Sequence, residues 1–236
     1  MSKFKVSCII PAYNEVKNIK RVLALLVNFP LLSEIIVVND GSTDKTGEIV
    51  KNNFPQVRLI ILPKNQGKAD ALIAGAKAAK HPVLFFCDAD LINLKKTHLN
   101  SLIKPVLGKK VKMMVGAQEF MAPNRLSKKW RSKNKMNEFL KGLGGEKVLF
   151  KKDFLKIPNI ENSDYGVEHK IINYFQKNKL PFDYLVLKGV THLHKVEKWG
   201  IMEGAIRDLN SYFTFACQFL EKLGKKIKSF FESRLS

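Results

Sequence analysis

Asp88 and Asp90 stand one residue apart at the end of an apolar run, Val83-Leu84-Phe85-Phe86-Cys87. Read as a strand, this run delivers both carboxylates to one face at the carboxyl edge of a sheet, because strand side chains alternate with a period of two. Two hard oxygen donors in that position are costly unless a cation joins them. A divalent ion suits the place: Mg²⁺ in particular combines one or two carboxylates with substrate phosphates. A lone Asp-x-Asp also caps many turns and helices, so the surrounding elements must decide.

Those elements alternate. Val6 to Ile10 reads as a first strand, Asn14 caps a helix carrying Ile19, Val22, Leu23 and Leu26, and Glu34 to Val38 is a second strand. A short helix to Asn53 leads to a third strand, Val57 to Leu62, then to an Ala-rich helix from Ala69 to about Lys80 and the fourth strand, Val83 to Cys87. Such alternation predicts βαβ units and a parallel sheet, whose ligands bind outside the carboxyl ends of the strands. Asn14-Glu15, Asp40, Lys64 to Lys68 and Asp88/Asp90 all fall at such ends. Four separate loops aimed at one edge predict a site. Asp44 and Asp70 read as helix-start carboxylates.

The 236 residues, 45% of them hydrophobic, are enough for one large α/β domain with an appendage. Cys8, Cys87 and Cys217 are an odd number and suit reduced thiols in a cytosolic protein. No secretory signal is read at the start, and no run reaches the roughly 18 apolar residues of a membrane span. The net charge of +20 is unevenly spread: between Lys104 and Lys156 stand 15 Lys or Arg against 4 Asp or Glu. That balance points to anionic partners: phosphorylated substrates, an anionic membrane surface or nucleic acid.

Pro11-Ala12-Tyr13-Asn14-Glu15, Val38-Asn39-Asp40-Gly41-Ser42-Thr43-Asp44, Asn65-Gln66-Gly67-Lys68-Ala69-Asp70-Ala71-Leu72 and Asp88-Ala89-Asp90 follow one another in this order. Together they closely resemble the family-2 glycosyltransferases, strongly over residues 5–120 and loosely beyond. The resemblance implies a nucleotide-diphospho-sugar donor, Mg²⁺ or Mn²⁺, and a Rossmann-like catalytic domain. It also implies that Pro11, Ala12, Tyr13 and Glu15 line the base and ribose pocket and that Asp40 bonds the base. Both uracil and guanine offer ring N–H groups, so UDP and GDP stay open. Lys68, at a helix start behind a glycine, is suited to the diphosphate. By resemblance Asp88, with Ala89 beside it, holds ribose or sugar, and Asp90 ligates the metal that neutralises charge as the nucleoside diphosphate leaves.

The second half carries the acceptor side. Val111 to Val115 reads as a fifth strand, and Gly144-Gly145-Glu146-Lys147 resembles the family's glycine-led strand beneath the acceptor. Arg125, Lys128, Lys129, Trp130 and Arg131 form a basic, aromatic segment suited to a membrane or phosphorylated acceptor. Asp164 precedes a helix marked by Val167, Ile171 and Phe175, where the family carries its general base, although Ser163 replaces the usual Glu. Tyr165-Gly166-Val167-Glu168 also resembles a segment of retaining glucosyl-phosphoglycerate synthases, so the stereochemical outcome stays open. A late histidine completes the metal site in related enzymes, which nominates His192 or His194, with His194 slightly favoured. Imidazole suits Mn²⁺ better than Mg²⁺.

The expected fold is α/β: a Rossmann-like, doubly wound, mostly parallel sheet of the GT-A glycosyltransferase type with a C-terminal amphipathic helical extension. A catalytic domain over 1–200 divides into a nucleotide-sugar half (1–120) and an acceptor half (121–200), followed by a basic helical tail (201–236). The tail is suited to pack on the domain, pair with a second copy in a homodimer, or lie on an anionic bilayer. The expectation is a metal-dependent hexosyltransferase with a UDP- or GDP-sugar donor and a polyprenyl-phosphate or other phosphorylated acceptor, peripheral on the cytoplasmic membrane face. A phosphoglycerate-type soluble acceptor is the alternative. A sugar nucleotidyltransferase lacks support, because the first loop is not a glycine-rich triphosphate cradle. A nucleic-acid-binding protein would leave the convergent carboxylates unexplained.

Overall fold

The structure is a computed structural model, and it describes residues 5–118, 144–161, 163 and 166–192. The expected alternation is what forms. In chain order the elements are β1 (Val6–Ala12), α1 (Ile19–Leu26), β2 (Leu32–Asp40), α2 (Thr46–Asn53), β3 (Arg58–Leu62) and α3 (Lys68–Ala78). They continue with β4 (Val83–Phe86), β5 (Leu91–Ile92), α4 (Lys96–Leu107), β6 (Met113–Gln118), β7 (Lys147–Phe150), α5 (Lys151–Phe154), α6 (Val167–Lys177), β8 (Phe182–Leu187) and β9 (Thr191–His192). The helix expected over Ala69–Lys80 begins one residue earlier and ends at Ala78, and the fourth strand stops at Phe86.

The main sheet has seven strands in the order β3-β2-β1-β4-β7-β6-β8. β3, β2, β1 and β4 run parallel, β6 and β8 are parallel to each other, and β7 is antiparallel to both its neighbours. The strand order reverses direction at β1, giving the doubly wound topology whose crevice takes ligands. A second ribbon pairs β5 with β9, Leu91 opposite His192 and Ile92 opposite Thr191.

Alternation along the strands builds two cores. Cys8 and Ile10 of β1 and Phe85 of β4 face α1, α2 and α4, whereas Ile9, Ile36 and Phe86 face α3 and α6. The strands are buried on both faces and therefore read as continuous apolar runs. α3 packs closely because its inner residues are small: a Cβ on Gly75 would meet Ile9 Cγ2 at 2.4 Å. Among the described residues no helix is long and apolar enough to cross a membrane. The expected boundaries near residues 120 and 200, the basic segment Arg125–Arg131 and the C-terminal tail lie outside the described residues.

Candidate active site

The carboxyl ends of β1, β2, β3 and β4 share one edge of the sheet. Because β7 runs antiparallel, its amino-terminal approach, Gly144-Gly145-Glu146, arrives at that same edge. Asp88 follows β4 directly, after Cys87 N–H donates a last rung to Ile9 O at 3.1 Å. The ribbon of β5 and β9 then brings the far end of the chain back over it.

Four acidic groups and three basic ones meet there. His192 Nε2 lies 3.2 Å from Asp88 Oδ2, 3.7 Å from Asp90 Oδ1 and 3.7 Å from Glu146 Oε1. On the other side of Asp88, Lys68 Nζ lies 2.7 Å from Oδ1 and 2.8 Å from Glu168 Oε1, at the first turn of α6. Lys147, almost fully buried, donates to Gly144 O and lies within the field of Glu168, Lys68, Glu146 and Asp88.

Burial and charge compete at each of these groups. Burial alone would raise the Asp88 carboxyl, but Lys68 and His192 outweigh it and hold it well below the ordinary carboxylate range. Burial would lower His192, yet its bond to Asp88 and the nearby Glu146 carboxylate push it up to about 11. Lys68 is likewise raised above the usual ammonium value against its desolvation, by Asp88 and Glu168. For Lys147 burial prevails and brings the ammonium down to about 8.

The donor set fits a divalent cation. Donor atoms of Asp88, Glu146 and His192 all lie within 4.8 Å of one another. Glu146 is fully buried, and neither of its carboxylate oxygens has a hydrogen-bond partner. A buried carboxylate without hydrogen bonds depends on a positive partner, here the His192 ring at 3.7 Å or a metal ion in its place. Two carboxylates and an imidazole suit Mn²⁺-like ions, and the carboxylates also suit Mg²⁺. Glycine permits this approach: a Cβ on Gly145 would stand 2.1 Å from Asp88 Oδ2, and one on Gly144 would overlap Gly116 O.

The nucleotide side of the edge is built from interlocked loops. Asp40 accepts Gln66 N–H at 2.8 Å on one oxygen and Gly67 N–H at 2.9 Å on the other. It thereby fixes the turn, with Gly67 at φ 92°, that aims Lys68 at Asp88. Burial raises the Asp40 carboxyl, against the two amides that lower it. Asn14, at φ 55°, receives Thr43 N–H on Oδ1 at 2.9 Å and donates its own backbone N–H to Ser42 Oγ. Asp44 accepts Thr46 N–H at the start of α2 and Val16 N–H from the first loop, a loop-fastening role. Pro11 and Ala12 end β1, Tyr13 is half-buried beside them, and buried Glu15 accepts Asn18 Nδ2–H at 3.0 Å. Ala89 is buried between the two aspartates.

The structure therefore brings together Lys68, Asp88, Asp90 and His192, with Asp40 behind Lys68. Asp164 and His194 lie outside the described residues. Glu146, Lys147 and Glu168 were not singled out from the sequence. Glu146 and Lys147 belong to the glycine-led segment and Glu168 to the Tyr165–Glu168 segment, but the inward position of the first two depends on β7 running antiparallel.

Similarity to known proteins agrees with this geometry. The model of "Glycosyl transferase family 2" matches residues 7–166. A dolichyl-phosphate beta-glucosyltransferase of Trichomonas vaginalis is 41% identical over 101 residues, which cover 38% of this chain and 30% of that protein. A dodecaprenyl-phosphate galacturonate synthase of Rhizobium johnstonii is 26% identical over 181 residues, 72% of this chain and 48% of that one. The chain thus matches less than half the length of either. Glucosyl-3-phosphoglycerate synthase of Mycobacterium tuberculosis, solved with Mn²⁺, UDP and glucosyl-3-phosphoglycerate, has the same fold: TM-score 0.66, 23% identity, 80% of this chain and 72% of that one. The same enzyme with Mg²⁺ and UDP superposes with a TM-score of 0.65. The doubly wound sheet is thus the GT-A fold, and the chain belongs to glycosyl transferase family 2.

Proposed function

We propose that this chain is a metal-dependent hexosyltransferase that takes its sugar from a UDP- or GDP-linked donor. The observation that carries the reading is the meeting of Asp88, Asp90, Glu146 and His192 beside Lys68, at the sheet edge where this fold takes ligands. A divalent cation held there by Asp88, Glu146 and His192, with Asp90 alongside, would neutralise the diphosphate as it leaves. Lys68 has a third N–H beyond those facing Asp88 and Glu168, which would serve phosphate oxygens. Asp40 positions Lys68 through the Gln66–Gly67 turn and, by family resemblance, bonds the base. Pro11, Ala12, Tyr13 and Glu15 line the base and ribose. The binding of UDP by the fold relatives supports UDP as the first donor to test.

For the acceptor we favour a polyprenyl phosphate. Both lipid-phosphate relatives named above support it, as does the basic segment of Arg125, Lys128, Lys129, Trp130 and Arg131, suited to an anionic membrane face. A lipid phosphate is already ionised and needs no general base, so Asp164→Asn then costs little. The alternative, a soluble phosphoglycerate-like acceptor, draws on the Tyr165-Gly166-Val167-Glu168 segment and the fold relatives. With a hydroxyl acceptor activated by Asp164, the same change costs about 10² to 10⁴ in rate. Calorimetry of UDP and GDP with and without Mn²⁺, on wild type and Asp90→Asn, tests the donor. Binding of neither nucleotide overturns the reading. Transfer to polyprenyl phosphate or to 3-phosphoglycerate then separates the two acceptors.

A further inference from the structure

We propose that Glu146 makes the cation a resident of this site: Mn²⁺ or Mg²⁺ binds to Asp88, Glu146 and His192 before any nucleotide, rather than being carried in by the diphosphate. The inference rests on the metal-dependent reading above and adds an order of binding to it.

Glu146 immediately precedes β7. It is fully buried and both its oxygens lack hydrogen-bond partners. The imidazole nitrogen of His192, at 3.7 Å, is beyond hydrogen-bond length. The cation facing this carboxylate is the His192 imidazolium, which also faces Asp88 and Asp90 and must give up its proton before it can ligate, so that a metal ion takes over its compensation. A second aspartate in the Asp-x-Asp pair can be hydrated while it waits for a substrate-borne ion. Glu146, sealed from water, can only exchange the imidazolium for another cation.

Geometry agrees. Ligands at about 2.1 Å around an octahedral ion lie roughly 3 to 4.2 Å apart. The donors of Asp88, Glu146 and His192 already lie within 4.8 Å of one another, so closing on an ion takes well under about 1 Å of movement. Each donor stands on a tied element. Gly116 N–H donates to Glu146 O at 2.8 Å, Lys147 ties down Gly144 O, and His192 is paired with Leu91. Three protein ligands also leave about three octahedral positions for diphosphate oxygens and water.

The charges agree as well. Asp88, Asp90, Glu146 and Glu168 stand against Lys68 and Lys147, and His192 must be neutral to ligate. That leaves two negative charges, which one dication cancels without any contribution from a nucleotide.

The test is a Mn²⁺ titration of the full chain followed by electron paramagnetic resonance of free Mn²⁺, without nucleotide and with UDP. The expected result is one equivalent bound without nucleotide, and at least about tenfold weaker binding in Glu146→Gln. Thermal unfolding is the second readout. Mn²⁺ alone raises the wild-type Tm, and Glu146→Gln abolishes that rise. Glu146 as a mere structural carboxylate would leave the Mn²⁺-dependent rise intact in Glu146→Gln, which would overturn the inference. Mn²⁺ binding only in the presence of UDP overturns the inference and leaves the transferase reading standing. Mn²⁺ binding with no nucleotide affinity does the reverse.

Discussion

His192 stands opposite Leu91 in a two-residue antiparallel ribbon, and this pairing puts its Nε2 3.2 Å from Asp88 Oδ2. A segment 104 residues downstream thus becomes the roof over the Asp-x-Asp pair. The position has a consequence for pH. The imidazole is held protonated up to about 11, so at pH 7 a cation must displace its proton. Mn²⁺ affinity therefore rises with pH, by about tenfold per unit at most for one proton released. Calorimetry in buffers of different ionisation enthalpy reads that proton directly, and its absence would count against His192 as a ligand.

The same group shapes stability. A histidine raised from 6.5 to about 11 stabilises the fold fully below pH 6.5 and loses that contribution as pH climbs through about 11. Lys147, lowered from 10.5 to about 8, works in the opposite sense: its charge is a cost below about pH 8 that is relieved as pH approaches 10.5. Between pH 6.5 and 8 the histidine acts without that opposition. The Tm of EDTA-treated protein should fall across this window and level off above it. In His192→Asn the fall should vanish, as a pH series of melting curves will show.

Glycine tolerance should differ at two adjacent positions. Gly145→Ala drives a methyl against Asp88 Oδ2, the end of a side chain that can rotate away. Folding should survive by circular dichroism while Mn²⁺ affinity drops at least about tenfold. Gly144→Ala meets the backbone carbonyl of Gly116, which cannot yield, so that variant should fail to fold.

Lys68 separates Asp88 from Glu168, so Lys68→Met leaves two partly buried carboxylates facing each other. Urea denaturation should show a loss of about 1–3 kcal/mol. Nucleotide affinity should fall as well. A variant as stable as wild type would mean that the two ion pairs contribute nothing net, as many exposed pairs do.

Asp40→Asn replaces two acceptor oxygens with one acceptor and one donor, and that donor would face a backbone N–H. The amides of Gln66 and Gly67 should lose hydrogen-exchange protection while the core strands keep theirs. Nucleotide affinity should fall through the misplaced Lys68. Unchanged protection at both amides would remove Asp40 from its positioning role.

Much of this was legible in the chain itself. Continuous apolar strands and turn clusters are local signals, and they located β1 to β4, the carboxyl-edge loops, Asp88, Asp90 and Lys68. Asn14, expected to cap α1, instead fastens the first loop to Ser42 and Thr43, and α1 starts after Asn18. Asp44, read as a helix-start carboxylate, does bind the first amide of α2. The direction of β7, the pairing of Leu91 with His192, and the burial of Glu146, Lys147 and Glu168 in one charged cluster were settled by the tertiary structure alone. Sequence periodicity records which face of an element is apolar, whereas strand direction and long-range pairing depend on which distant partner supplies the missing backbone hydrogen bonds.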